Sequence, residues 1–260
     1  VNTRTRDLSA QSLNLLGHRE AFYNLPVINL PSSIIATTFH TFGTQHLAAL
    51  IGIAILCLVT AKVTRAKRPS WDQWLKGIIG FFLVSYIVFF YVQQGIKGAL
   101  AWQYSLPLDL CSLVLVVCII SLFRPNRFII EFAYFCGIGG VLQALATPDL
   151  SQGFPSVEFI LFFWGHGASL TAITFLVLRH GFRPRKGSVL RMMIALNLYA
   201  LAIGTVNIIM GWNYGYLCHK PFAPSLIDFL GPWPWYLLSI EVIALVTFLI
   251  LSVPWRFQKQ

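Results

Sequence analysis

Acidic side chains are scarce in this chain. Nine Asp and Glu stand against 19 Lys and Arg in 260 residues, and all charged types together reach only 11%. A soluble domain carries about a quarter charged residues, so this chain cannot cover a globular surface with polar groups. A disordered segment, which needs little hydrophobicity and much charge, is excluded by the same figures, and so is a fibre. Cysteine supplies no framework either. Cys57, Cys111, Cys118, Cys136 and Cys218 form an odd set without a CxxC pair, which argues against a disulfide scaffold and a structural zinc site. Cys57, Cys118 and Cys136 lie in apolar runs and read as small packed hydrophobes. The first 33 residues hold no unbroken apolar core and no cleavage pattern, so no removable leader is expected. Val1 fits a directly translated alternative start codon, as in bacterial genes.

What is abundant is apolar. Hydrophobic residues make up 57% of the chain, and mean hydropathy is +0.70. A net charge of +10 would suit a nucleic-acid partner only on a folded polar surface. The other setting rich in Lys and Arg is the cytoplasmic edge of a membrane protein. A spanning helix needs about 20 mostly apolar residues, and seven runs qualify: 44–62, 74–94, 106–123, 128–146, 158–178, 189–210 and 235–253. The expected fold is therefore all-α, a polytopic seven-helix membrane bundle. No internal repeat suggests a two-fold transporter architecture.

Basic residues set the expected direction. Lys62, Arg65, Lys67, Arg68 and Lys76 lie between spans 1 and 2, and Arg124 and Arg127 between spans 3 and 4. Arg179, Arg183, Arg185, Lys186 and Arg191 lie between spans 5 and 6, with Arg256 and Lys259 at the C-terminus. By the positive-inside rule these loops are cytoplasmic and the N-terminus is outside. Trp71, Trp74, Trp233, Trp235 and Trp255 fit interfacial belts. Residues 1–43 form an extracytoplasmic tail, as a lid or interfacial helix, 44–253 the membrane domain and 254–260 a cytoplasmic tail. The segment 212–234 is too aromatic and Pro-rich for a solvated linker and reads as an ordered cap.

Polar side chains within a bilayer are costly and mark candidate sites. With this direction, His46, Asp109, Cys111, Gln143, His166, Asn207, Asn213 and Glu241 all fall in or near the outer half, whereas Glu131 and Asn197 do not. Separate satisfaction by neighbouring helices competes with a shared outer-leaflet pocket, which Tyr214 would also line. Pro107 fits the first turn of span 3, so Cys111 is expected in its second turn, near the positive helix end where a thiolate is favoured. His166 lies at comparable depth between Gly165 and Gly167. A Cys–His pair can take up an acyl group and pass it on, although a packed, inert thiol is the alternative for Cys111. On a regular helix Asp109 would lie about 200° around from Cys111, which suggests an acid complementing the helix dipole. His46, Asp109, His166 and Glu241 show no metal-ligand spacing. Zinc hydrolases of the ceramidase type carry HxxxH on their last span, where this chain has no histidine.

The motifs FGTQHL, LPLDLCSL, EFAYFCGIGGVLQALATPDL, FFWGHG, NYGYL and LGPWPWYLL occur in this order. On them the chain resembles the bacterial YwaF-type integral membrane protein family over nearly its whole length. It is also distantly similar to the eukaryotic transmembrane protein 164 family, which is associated with acyl transfer onto lysophospholipids through a membrane-embedded cysteine. The resemblance implies Cys111 as acyl acceptor, His166 as its partner and His46 as a further candidate. The function expected is a phospholipid acyltransferase-like activity in a bacterial plasma membrane. It would use no cofactor, and membrane lipids rather than nucleic acid would be its partners. The alternative is a permease or a lipid- or solute-binding protein without covalent chemistry; a sensor or scaffold is a third reading.

Overall fold

The computed structural model describes residues 37–221 and 226–256. Its main helices are α1 (Thr44–Arg65), α2 (Pro69–Ile96), α3 (Leu110–Phe123), α4 (Arg127–Ala146), α5 (Val157–Arg179), α6 (Ser188–Met210) and α7 (Trp235–Arg256). Among the described residues, all of these but α3 are long and apolar enough to cross a membrane, which makes six. α3 has 14 residues, about 21 Å at 1.5 Å per residue. The helices depart most from the expected runs at α2, which starts at Pro69 rather than 74, and at α3, which starts at Leu110 rather than 106. Leu106 is extended at ψ 145°, as a residue before proline tends to be, and Asp109 is extended as well. α7 runs through Pro254 to Arg256, because a proline in the last turn forfeits only one helical hydrogen bond. The tail at 1–43 and the C-terminal tail at 254–260 lie outside the described residues over 1–36 and 257–260.

Local chemistry accounts for the helix ends. Pro69 starts α2 at a position where its missing N–H is not needed. Asn126 caps α4 by accepting from the Phe128 N–H at 2.8 Å, and Ser156 caps α5 by accepting from Phe159 at 3.2 Å. α6 ends on Gly211 at φ 69°, the left-handed conformation that closes many helices. One turn of α4, Ala133–Gly137, is a π-helix. There Gly137 lets Val114 of α3 and Ile173 of α5 close on the α4 backbone: an added Cβ would stand 2.6 Å from Ile173 Cδ1.

α5 is the hub, packing against α1, α2, α3 and α4. The core between α3, α4 and α5 contains Val114, Cys118, Phe135, Cys136, Ala172, Ile173 and Leu176, all buried. The outward faces of α1, α2, α6 and α7 expose Leu58, Phe81, Ile208, Ile209 and Ile250. An apolar skin of that extent is not a soluble monomer's surface; lipid is the solvent it suits.

The bundle has two unlike ends. α1, α3, α5 and α7 start at one, here the cap end, and finish at the other, the basic end. At the basic end the buried Glu131 carboxylate of α4 accepts from Arg191 at 3.0 Å and from the Ser188 hydroxyl, with Arg185 3.6 Å away. Asp72 pairs with Arg179 at 2.8 Å. Tyr134 donates to the Leu251 carbonyl at 2.8 Å and accepts from Trp255 at 2.9 Å, which ties the end of α7 to α4.

Candidate functional site

The cap end is built from irregular chain. Residues 37–39 lie along the α4–α5 loop, bridging Thr38 to Gln152, with Phe39 N–H donating to the Ser151 carbonyl at 3.1 Å. The segment after α6 folds over α3 as the expected ordered cap, through a 3-10 turn at Tyr214–Tyr216 and another at Leu226–Leu230. Asn207, buried in the last turn of α6, holds it by donating to the Tyr214 carbonyl and accepting from the Tyr214 N–H, both at 2.9 Å. The Tyr214 hydroxyl accepts from the Leu106 N–H at 2.9 Å and donates to the Trp102 carbonyl at 2.6 Å. Tyr199 donates to the Leu108 carbonyl at 2.6 Å and Tyr91 to the Ser105 carbonyl at 2.7 Å. Tyr236 donates to the Tyr216 carbonyl. Tyrosine hydroxyls thus satisfy backbone that has no helical partner. Tyr216 bonds to Asp149 across the cap, and its hydroxyl pKa is pushed up to about 12, first by burial and then by the Asp149 charge.

Cys111 lies under this cap, in the first turn of α3 rather than the second. Its position is closer to the positive helix end than the sequence suggested. The regular-helix argument that set Asp109 apart from Cys111 does not apply, because Asp109 precedes the helix. Its carboxylate accepts from the Gly215 N–H of the cap at 2.9 Å, and it lies within electrostatic reach of the thiol. Tyr86, Tyr199 and Tyr216 also lie within reach of Cys111.

The packing of α3 on α5 sets the level of His166. The Cys118 thiol of α3 points to the Ser169 carbonyl of α5 at 4.0 Å. The two helices run in the same direction, so seven residues back on each brings Cys111 level with Phe162. Seven residues return to within about 20° of the same helix face, so Cys111 faces α5 as Cys118 does. His166 is about 60° around from Ser169. Its ring folds back towards the cap end: Nδ1 is 2.7 Å from the Phe162 carbonyl, and the ring lies 4.2 Å from that of Phe162. By this helix arithmetic the imidazole comes out near the level of Cys111, on a neighbouring face of α5. No hydrogen bond joins Cys111 and His166 among the described residues. Because a carbonyl only accepts, Nδ1 carries the proton in the neutral ring, which leaves Nε2 as the basic nitrogen, without a hydrogen-bond partner among the described residues.

The remaining candidates are dispersed. His46 is fully buried, with Nδ1 accepting from the Phe42 N–H at 2.8 Å just before α1 and Nε2 2.7 Å from the Leu145 carbonyl, which ties α1 to α4, so both nitrogens are committed to backbone. Gln143 is exposed, without a side-chain hydrogen bond among the described residues. Asn213 shapes the cap by accepting from the Cys218 and His219 N–H groups at 3.0 and 3.1 Å. Glu241 of α7 accepts from Asn197 of α6 at 2.5 Å, on a different face of the bundle from Cys111. No group of three or more His, Cys, Asp or Glu converges among the described residues. Asp109, Cys111, Asn207 and Tyr214 do come together, and the tyrosines at 86, 199 and 216 join them. Those three escaped the sequence reading because Tyr86 and Tyr199 sit inside apolar runs and Tyr216 inside the cap, where tyrosines are common and nothing local marks them.

Comparison with known proteins gives one family: the TMEM164 family model matches residues 41–252. No curated protein and no solved structure matches the chain.

Proposed function

The chain belongs to the TMEM164 family of multi-pass membrane proteins, and on that premise we propose that it is a phospholipid acyltransferase that works through a thioester at Cys111. The observation that supports this reading is the position of Cys111, in the first turn of α3 under the tyrosine-bonded cap, with an imidazole on the adjoining α5 whose Nε2 has no hydrogen-bond partner among the described residues. In the reaction His166 Nε2 removes the thiol proton and Cys111 Sγ attacks the acyl carbonyl of a phospholipid. The carbonyl π pair moves to oxygen, then returns as the ester C–O bond breaks. The departing lysophospholipid oxygen takes the proton from His166, leaving a thioester. A second lysophospholipid hydroxyl, deprotonated by the same nitrogen, attacks the thioester and restores the thiol. No cofactor enters the scheme.

The proposal includes seven spans, with the N-terminus outside, the cap end in the outer leaflet of a bacterial plasma membrane and the basic end in the cytoplasm. Fourteen of the 19 Lys and Arg, in the loops named above, support that direction. The YwaF-type resemblance supports the bacterial assignment.

The test uses the full chain in liposomes whose phosphatidylcholine carries a radiolabelled acyl group. Acid-quenched protein is expected to hold label that hydroxylamine releases and that Cys111→Ala abolishes. Label retained in Cys111→Ala rejects the reading.

A further inference from the structure

Tyr86 is the feature that the scheme above leaves unused. Six other tyrosines commit their hydroxyls: Tyr91, Tyr134, Tyr199, Tyr214 and Tyr236 to backbone carbonyls, and Tyr216 to the Asp149 carboxylate. The Tyr86 hydroxyl has no hydrogen-bond partner among the described residues. Its ring is partly buried, while the hydroxyl oxygen keeps accessible surface and so can meet a ligand atom. Its ring is held firmly, 6.3 Å from Phe90 and 6.2 Å from Trp164. It lies flat on Gly165, the residue before His166: a Cβ there would stand 2.8 Å from the ring carbons and 3.2 Å from the hydroxyl oxygen. The glycine is what lets a tyrosine from α2 lie against the α5 backbone at this point. The hydroxyl therefore sits against the α5 backbone at Gly165 and within electrostatic reach of Cys111 on α3.

Resting on the thioester reading, we propose that the Tyr86 hydroxyl is the oxyanion donor of the site, hydrogen-bonding the acyl oxygen as Cys111 adds to the carbonyl. The new S–C bond sends the carbonyl π pair onto oxygen, and the resulting oxyanion accepts the Tyr86 O–H without proton transfer. When the π bond re-forms and the lysophospholipid oxygen leaves, that hydrogen bond relaxes. A pre-oriented donor in a water-poor site favours the charge that develops in the transition state over the neutral ester.

Tyr86→Phe removes the hydroxyl and keeps the ring on Gly165. Thioester formation from radiolabelled phosphatidylcholine is expected to fall by about 100-fold, the usual effect of losing one such donor. Lipid binding and the rate of Cys111 alkylation by iodoacetamide are expected to stay at the parent level, because alkylation forms no oxyanion. Gly165→Ala, which pushes the ring aside, is expected to reduce thioester formation in the same way while leaving Tyr86 in the chain. The proposal is overturned if Tyr86→Phe forms the thioester at the parent rate. It is also overturned if alkylation slows in parallel, because that marks a structural role. If the parent protein forms no thioester, the acyltransferase reading falls and this one falls with it; a parent thioester matched by Tyr86→Phe sinks the Tyr86 role alone.

Discussion

The His166 ring donates its Nδ1–H to the carbonyl of Phe162, 2.7 Å away and one turn back on the same helix. This bond fixes the tautomer without a carboxylate. A second histidine, His46, has both nitrogens bound to backbone, so the two differ in what they can do despite similar depth in the chain.

Replacing His166 by Gln is expected to lower thioester formation by about 10²–10⁴-fold, the usual contribution of a general base. Alkylation of Cys111 should slow as well, since the same nitrogen assists thiol ionisation. Paired measurements of acyl labelling and iodoacetamide uptake check both effects; an unchanged acylation rate would remove His166 from the mechanism.

Asn207 offers a test of the cap. Its side chain is buried and makes two 2.9 Å bonds to Tyr214. Asn207→Ala leaves both backbone groups unpaired, at a cost of about 2–4 kcal/mol. A lower thermal midpoint in detergent is expected, together with faster reaction of Cys111 with a polar maleimide. Slow labelling unchanged from the parent would show that the cap does not shield the thiol.

At the basic end, Glu131→Ala removes the buried carboxylate that Arg191, Ser188 and Arg185 face, while both arginines remain partly exposed to solvent. Losing hydrogen bonds to a charged group costs about 1.5–3 kcal/mol, and the loss should appear as a lower unfolding midpoint. Acyl labelling by the surviving folded fraction should match the parent, because this cluster lies at the opposite end from Cys111.

Orientation is open to a direct measurement. With all five native cysteines replaced by Ala, Ser151→Cys is expected to react with a membrane-impermeant maleimide in intact cells, and Lys67→Cys only after permeabilisation. The opposite pattern would reverse the proposed direction.

The apolar runs made the helices legible, since lengths near 20 residues and flanking charges are local features. α3 was misjudged because hydropathy reads Leu106 and Leu108 as span, whereas the proline between them keeps the chain extended. Arg185 and Arg191 were read as markers of direction. That they also neutralise Glu131, more than 50 residues away in sequence, depends on the packing of α4 against α6 and leaves no local trace. Cys111 and His166 were found as chemical types, but their shared level followed from one contact, Cys118 to Ser169. Tyr86 had no signal in the sequence beyond the small residue at 165.

α3 is about 21 Å long, against about 30 Å for the hydrocarbon core of a bilayer. Under the proposed seven-span reading, the remaining depth falls to the non-helical stretch before it, where exposed peptide groups would face a solvent with nothing to offer them. Such backbone persists at membrane depth only when protein or a wet cavity answers its hydrogen bonds. Tyr91, Tyr199 and Tyr214 answer those of Ser105, Leu108, Leu106 and Trp102. Three phenols thus take the part of missing water and dent the apolar slab from one side. On the proposed acyltransferase reading, this is the depth at which the ester linkage of a phospholipid, and not only its acyl tail, would have to meet Cys111.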